Sequence, residues 1–402
     1  MNWKVVLAIL TCNITFMSAS YTMLIPFLPL YLTQELGVDS ASVNLWSGIV
    51  FSSTFLVSAI MAPIWGRMAD TRGKRLMAIR ASLLLSVSYY LGGIVTSPEQ
   101  MTLMRMFQGF ASGLWPMDLA IMTLYAPPAR IGLCLGVMQG VLTAGGVIGP
   151  LLGGLLAESF GMRLSFFLAA GALFINCLMF IFFIKEPPAA APADAVKTDA
   201  KPANRPSLLH NPLIRNMLIC GTIVQMVILI LQPILTTYIT ELAGELTNII
   251  FISGLVFSLG GVAAAIAAPL WGQFGQHGGF FRAMALALLF AGLSIMIQGI
   301  PDDLYLFALM QFVGGLFFAG IYPSINAILA GNTPPEFKGS IFGMLFSAQQ
   351  VGSMAGPILG GAIATFLGMK YVFFIAGALL IFLSAAVYRR FILHHSTDAK
   401  TA

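Results

Sequence analysis

The chain has 402 residues, 58% of them hydrophobic and only 9% charged, against about 25% charged in soluble domains. A water-soluble fold of this composition would expose large apolar patches, so the composition predicts a membrane protein built from helices about 20 residues long. The formal charge of +5 sits in short segments between apolar runs, with no basic face interleaved with aromatics. That argues against a nucleic-acid partner and for the positive-inside rule.

Met1-Asn2-Trp3-Lys4 leads straight into an apolar run. The run is too long for a signal-peptide core and has no small-residue cleavage site, so it is read as a retained first span. Apolar runs predict spans at 5–32, 44–65, 77–95, 101–123, 132–157 and 164–184, then at 212–239, 248–270, 282–299, 305–330, 339–365 and 371–388. Between the sixth and seventh lies 185–211, with Pro187, Pro188, Pro192, Pro202 and Pro206 among alanines and mixed charges. Such a stretch cannot bury a core and reads as a linker. The expected division is an N-terminal six-helix bundle at 1–184, the linker, a C-terminal bundle at 212–390 and a polar tail at 391–402.

The two halves repeat at an offset of 206 or 207 residues. Pro26 to Gly37 matches Pro233 to Gly244, Ala62 to Gly66 matches Ala268 to Gly272, and Gly161-Met162-Arg163 matches Gly368-Met369-Lys370. The most distinctive string is Gly145-x-x-x-Gly149-Pro150-x-x-Gly153-Gly154, copied as Gly352-x-x-x-Gly356-Pro357-x-x-Gly360-Gly361. Glycines four apart line one helix face and admit a neighbouring backbone, and the proline kinks the span. Six spans per half is an even number, so the halves run parallel about an axis along the membrane normal, as in repeat-built transporters.

With a cytoplasmic N-terminus, about 17 of the 20 Lys and Arg fall on that side, all but Arg105, Arg163 and Lys370. Both termini and the linker are therefore expected in the cytoplasm. Cys12, Cys134, Cys177 and Cys220 lie in or beside apolar runs without paired spacing, and no His cluster accompanies them, so neither a metal site nor a disulfide framework is expected. No Walker string occurs, and no cofactor or enzymatic domain is expected.

Three motifs resemble those of the major facilitator superfamily. The duplicated Gly-Pro-Gly-Gly string resembles its antiporter motif. Gly66-x-x-x-Asp70-x-Arg72-Gly73-Lys74-Arg75 resembles its cytoplasmic motif between spans two and three, and Arg105-x-x-Gln108-Gly109 its fourth-span motif linked to proton coupling. Asn44 to Ser52 looks most like the MdtG-type multidrug exporters of the drug:proton antiporter family. The resemblance covers nearly the whole chain and implies an all-α fold of 12 transmembrane helices in two pseudo-symmetric bundles. It also implies a gate at the Asp70 loop that latches the cytoplasmic face. Thr71 departs from the basic residue usual there, the matching second-half segment Gly272 to Gly278 lacks the acidic residue and the basic pair, and Gln311 stands opposite Arg105.

Asp118 lies well inside the fourth span. A carboxylate in hydrocarbon costs about 3 kcal/mol or more unless it is paired, hydrated or protonated. It is therefore read as a proton carrier facing a central cavity, or as a carboxylate neutralised by a partner. Arg105 is 13 residues away on the same predicted helix. That is about 20 Å and about 220° around the axis, which excludes a direct ion pair. Arg105 is either a second station in a proton path or a structural anchor. Candidates for the substrate cavity are Tyr31, Trp115, Gln139, Gln232, Tyr238, Tyr322, Asn326 and Gln349.

The expected function is proton-coupled export of small apolar or cationic compounds by alternating access, from a monomer in the bacterial inner membrane. The alternatives are a transporter of one metabolite, such as a sugar or siderophore, and a non-transporting membrane receptor or scaffold.

Overall fold

The structure is a computed structural model and describes residues 2–127, 130–185, 211–244, 248–334 and 338–393. The 186–210 portion of the predicted linker and the tail from residue 394 lie outside the described residues.

Among the described residues the chain is helical, without strands. The N-terminal half comprises α1 (Trp3–Met23), α2 (Leu28–Gln34), α3 (Val43–Arg72), α4 (Lys74–Ile94), α5 (Pro98–Phe110), α6 (Leu114–Tyr125), α7 (Ile131–Phe160) and α8 (Met162–Phe182). The C-terminal half comprises α9 (Pro212–Ile230), α10 (Gln232–Ala243), α11 (Ile249–Gly278), α12 (Phe280–Gln298), α13 (Leu304–Phe318), α14 (Ile321–Gly331), α15 (Lys338–Phe366) and α16 (Met369–Val387). Among these residues, ten segments are long and apolar enough to cross a bilayer. The pair α5–α6 and helix α15 complete twelve.

Local sequence explains where helices start and break. Ser97, Asn211 and Asp303 cap their helices by accepting from backbone N–H groups two or three residues on. Single glycines with positive φ join successive spans at Gly73 (95°), Gly161 (86°) and Gly279 (89°), a conformation that a side chain would strain. Pro26 opens a 3₁₀ turn between α1 and α2, and Pro233 lies in the first turn of α10. Both spans therefore break at their matched prolines. Spans four and ten also break, at 111–113 and 319–320.

Each half packs on the same plan. In the first, α1 lies on α7, α3 on α5 and α4 on α8. In the second, α9 lies on α15, α11 on α13 and α12 on α16. Hydroxyls stitch the first of these pairs, with Ser18 donating to the Leu142 carbonyl at 2.8 Å and Thr222 to that of Ala348 at 3.1 Å. The halves meet through α3 against α15 and α7 against α11.

Candidate functional site

The helix alternation gives the molecule a basic face, with Arg72, Lys74, Arg75 and Arg282, and an acidic face, with Glu35, Glu99, Glu241 and Asp302. Close contact between the halves lies toward the acidic face. A methyl placed on Gly48 would overlap the Pro357 carbonyl, one on Gly254 the Pro150 carbonyl, and one on Gly361 the Asn44 carbonyl. On Gly154 it would come 2.8 Å from the Ile250 carbonyl oxygen. Ser258 Oγ donates to the Val147 carbonyl at 2.6 Å across the same seam. On the basic-face halves of these four helices, a methyl on Gly66, Gly136, Gly140, Gly272 or Gly343 would find no neighbouring atom within 4 Å. The halves are thus joined at one end and parted at the other.

The repeated glycine string has two faces. A methyl on Gly145 would meet Ser18, on Gly149 it would meet Thr22, and on Gly153 the backbone of Met23, all in the first span. Gly154 and the carbonyls of Val147 and Pro150 address the other half. The copy does the same: Gly352, Gly356 and Gly360 abut α9, while Gly361 and the Pro357 carbonyl abut α3. The adjacent glycines at the end of the string point one inward to their own bundle and one across the seam.

In the Asp70 loop, Gly73 makes the turn between α3 and α4. The Asp70 side chain lies outside the described residues. Arg72 is exposed and Lys74 half-buried. Arg75, which the resemblance places in the gate motif, is held by another helix of its own half. It donates to the carbonyls of Phe180 at 3.2 Å and Ile181 at 2.7 Å, capping the C-terminal end of α8 where the helix dipole favours a cation.

Asp118 is 0% exposed and sits with Leu114, Met117, Ile121 and Met122 on α6, residues packed into the apolar cluster between α1, α4, α7 and α8. The expectation of a cavity-facing carboxylate is therefore corrected: no solvent reaches it in this arrangement. No hydrogen bond reaches either oxygen among the described residues. The single continuous fourth span is corrected too. Gly113, at φ 112°, starts a new helix, so the phase between Arg105 on α5 and Asp118 on α6 does not follow 100° per residue.

Arg105 is 3% exposed, donates Nη1 to Gln108 Oε1 at 2.9 Å and lies 5.6 Å from the Phe51 ring centroid. Its Nε and Nη2 have no partner among the described residues.

The cavity candidates do not share one site. Tyr31 and Tyr238 are 0% and 1% exposed and pack within the bundle cores, Tyr31 donating to the Gly92 carbonyl at 2.9 Å and Tyr238 lying 5.4 Å from Phe307. Both are corrected from cavity wall to core, where aromatics supply the largest buried area. Trp115 is half-buried against the same cluster as Asp118. Gln139 and Asn326 are exposed. Tyr322 and Gln349 come together with Gln225, Tyr322 donating to Gln225 Oε1 at 2.7 Å and also facing Gln349. Gln232 lines a cavity of about 260 Å³ with Gln298 and Gln311.

Arg80 carries a role the sequence did not reveal. Counted with the basic-face charges, it instead stacks 3.7 Å from the Trp65 ring and donates to the Ser112 carbonyl at 2.8 Å, inside the span-four break. Its nearness to Trp65 depends on packing between α3 and α4, which hydropathy does not carry.

A family model described as Major Facilitator Superfamily matches residues 10–297 and 234–401. The multidrug resistance proteins MdtG of Salmonella paratyphi A and Salmonella typhimurium are each 33% identical over 392 residues, spanning 95% of this chain and 94% of theirs. Two solved structures share the fold at low identity. The nucleoside transporter NupG superposes with a TM-score of 0.77 at 17% identity, covering 98% of this chain and 100% of its own. A bacterial homologue of the human lysosomal transporter Spinster gives a TM-score of 0.80 at 15% identity over 96% of both chains. Twelve spans in two repeated bundles among the described residues, the motifs at the seam and a full-length family match agree: the chain belongs to the major facilitator superfamily, a multi-pass membrane transport protein and not an enzyme.

Proposed function

We propose that this chain is a proton-coupled antiporter that exports small apolar or cationic compounds by alternating access. The observation that carries the coupling is Asp118. A carboxyl group buried without hydrogen bond or cation is stable only in its neutral form. Proton release then requires a second arrangement in which water or a cation reaches it, which is the link an antiporter needs between proton binding and conformation. The seam supports alternation, because contacts joining the halves lie at one end while the other is parted. The relatives' printed name, multidrug resistance protein, supports export of foreign compounds. Under this reading the chain works as a monomer in the inner membrane. The basic face, both termini and the 185–211 segment lie in the cytoplasm, and the Asp70 loop latches that face when the acidic end opens.

The second reading is transport of one specific metabolite such as a sugar or siderophore. The Gln225–Tyr322–Gln349 cluster favours it, because converging hydrogen-bonding groups suit a polyol more than a promiscuous apolar guest. Proteoliposomes with an acidic interior decide between them. Ethidium should accumulate inside against its gradient while protons leave the interior for the outer medium. Accumulation of a sugar or siderophore with no movement of ethidium or other dyes would overturn the export reading in favour of the second.

A further inference from the structure

The cavity of about 260 Å³ in the C-terminal half lies among α9, α10, α11, α12 and α13. Its walls are apolar except for the amides of Gln232, Gln298 and Gln311, and no charged side chain lines it. Gln298 is 2% exposed and donates Nε2 to Gln311 Oε1 at 2.9 Å. Its own Oε1 has no partner among the described residues. A buried acceptor left unpaired costs its full desolvation. The space has room for several waters, but a water needs two to four polar partners and these walls are mostly Leu235, Phe257, Ile295 and Phe318. A charged group would be stripped of water with nothing to pair with.

The equivalent place in the N-terminal half is built differently. At an offset of 206, Gly92 stands for Gln298, Arg105 for Gln311 and Phe51 for Phe257. The first half holds a cation there, and the second holds a neutral amide pair beside open space. Phe257 also packs against the apolar clusters of both halves, so an occupant would touch a residue at the seam.

We propose that this cavity binds the uncharged, hydrogen-bond-donating end of an otherwise apolar substrate, a phenolic hydroxyl or aromatic amine, with Gln298 Oε1 as the acceptor. As a statement of substrate class this rests on the transport reading above, but binding is measurable without a proton gradient. The probes are 4-phenylphenol and its methyl ether, titrated calorimetrically into the full chain in phosphatidylethanolamine–phosphatidylglycerol nanodiscs. The phenol should bind about tenfold tighter, the worth of one net hydrogen bond. Gln298→Leu should remove that preference while leaving the ether's affinity within about twofold, and Gln298→Met, which keeps the length, serves if the first variant misfolds. Equal affinities in the parent, no binding of either probe, or an undiminished preference in a folded variant overturns the site. Ethidium export by the same protein in proteoliposomes separates the two ideas: export without phenol preference sinks only the site, and phenol preference without export of any dye sinks only the transport reading.

Discussion

Arg105 and Gln311 occupy matched positions on α5 and α13, on scaffolds that agree closely. Trp65 Nε1 donates to the Phe110 carbonyl at 2.8 Å, and Trp271 Nε1 to the Leu316 carbonyl at 2.7 Å, the same bond 206 residues on. A methyl on Gly109 would strike the Thr54 carbonyl, and one on Gly315 the matching Gly260 carbonyl. The groups set on those scaffolds have diverged. The first half carries Arg105, Arg80 and Asp118. The second carries Gln311, Leu286 and, at an offset of 207, Ile325. Backbone contacts thus persisted where two helices must approach within a glycine's width, while Arg105, Arg80 and Asp118 have no ionisable counterpart in the second copy. The difference teaches that the copies share a mechanical task and divide the chemical one.

Transplanting second-half residues into the first tests that division. The largest effect is expected from Asp118→Ile, which copies Ile325 into a site of the same zero exposure. Uphill export driven by a pH gradient should vanish, while downhill equilibration and thermal stability persist. Gradient-driven accumulation equal to the parent would remove Asp118 from the coupling path.

Next come the glycines. Gly154→Leu and Gly361→Leu should block closure of the acidic end, so that transport is lost although the protein inserts and melts as the parent does. Gly149→Leu and Gly356→Leu force α1 or α9 away within a bundle, and should lower melting temperature and yield as well. Cysteine accessibility along the seam, read beside melting curves, distinguishes the two; identical behaviour of both pairs would erase the two faces of the string.

Arg105→Gln is expected to be milder, slowing proton-driven export about tenfold with downhill flux within about twofold. A lowered melting temperature with coupling intact would identify Arg105 as an anchor for Gln108 and Phe51. The smallest effect should come from Arg80→Leu, which copies Leu286. Losing the Trp65 stack and the Ser112 bond should cost about 2 kcal/mol of stability with export retained. A loss of export at unchanged stability would move Arg80 from scaffold to mechanism.

Much of the fold was legible in the sequence because spans, copies and charge asymmetry are all one-dimensional signals. The breaks were legible only in part. Those at Pro26 and Pro233 have a residue that forces them. Those at 111–113 and 319–320 pass through Ala111-Ser112-Gly113 and Ala319-Gly320, small residues that hardly alter hydropathy. Helices α3 and α11 run to Arg72 and Gly278, beyond their apolar cores, because helical backbone continues past the hydrocarbon as readily as through it. At the site, the rarity of a charge inside a span marked Asp118 and Arg105, but their surroundings depend on which helices abut. The same limit placed Tyr31 and Tyr238 in the cavity: an aromatic residue reads alike whether it faces a core or a void.

The seam at the acidic end joins backbone to backbone, with carbonyls of Pro150, Pro357, Ile250 and Asn44 resting against glycine Cα atoms and one hydroxyl bond from Ser258. Contacts of this kind are weak individually. Two ion pairs on that face among the described residues, Arg163–Glu35 and Lys370–Asp302, each stay within one half. Among the described residues, parting the seam therefore separates no opposite charges, and the rate at which that end opens should be nearly indifferent to ionic strength. It should respond instead to the lateral pressure and thickness of the surrounding bilayer, which act on packed backbone directly, making lipid composition rather than salt the natural throttle of this transporter's cycle.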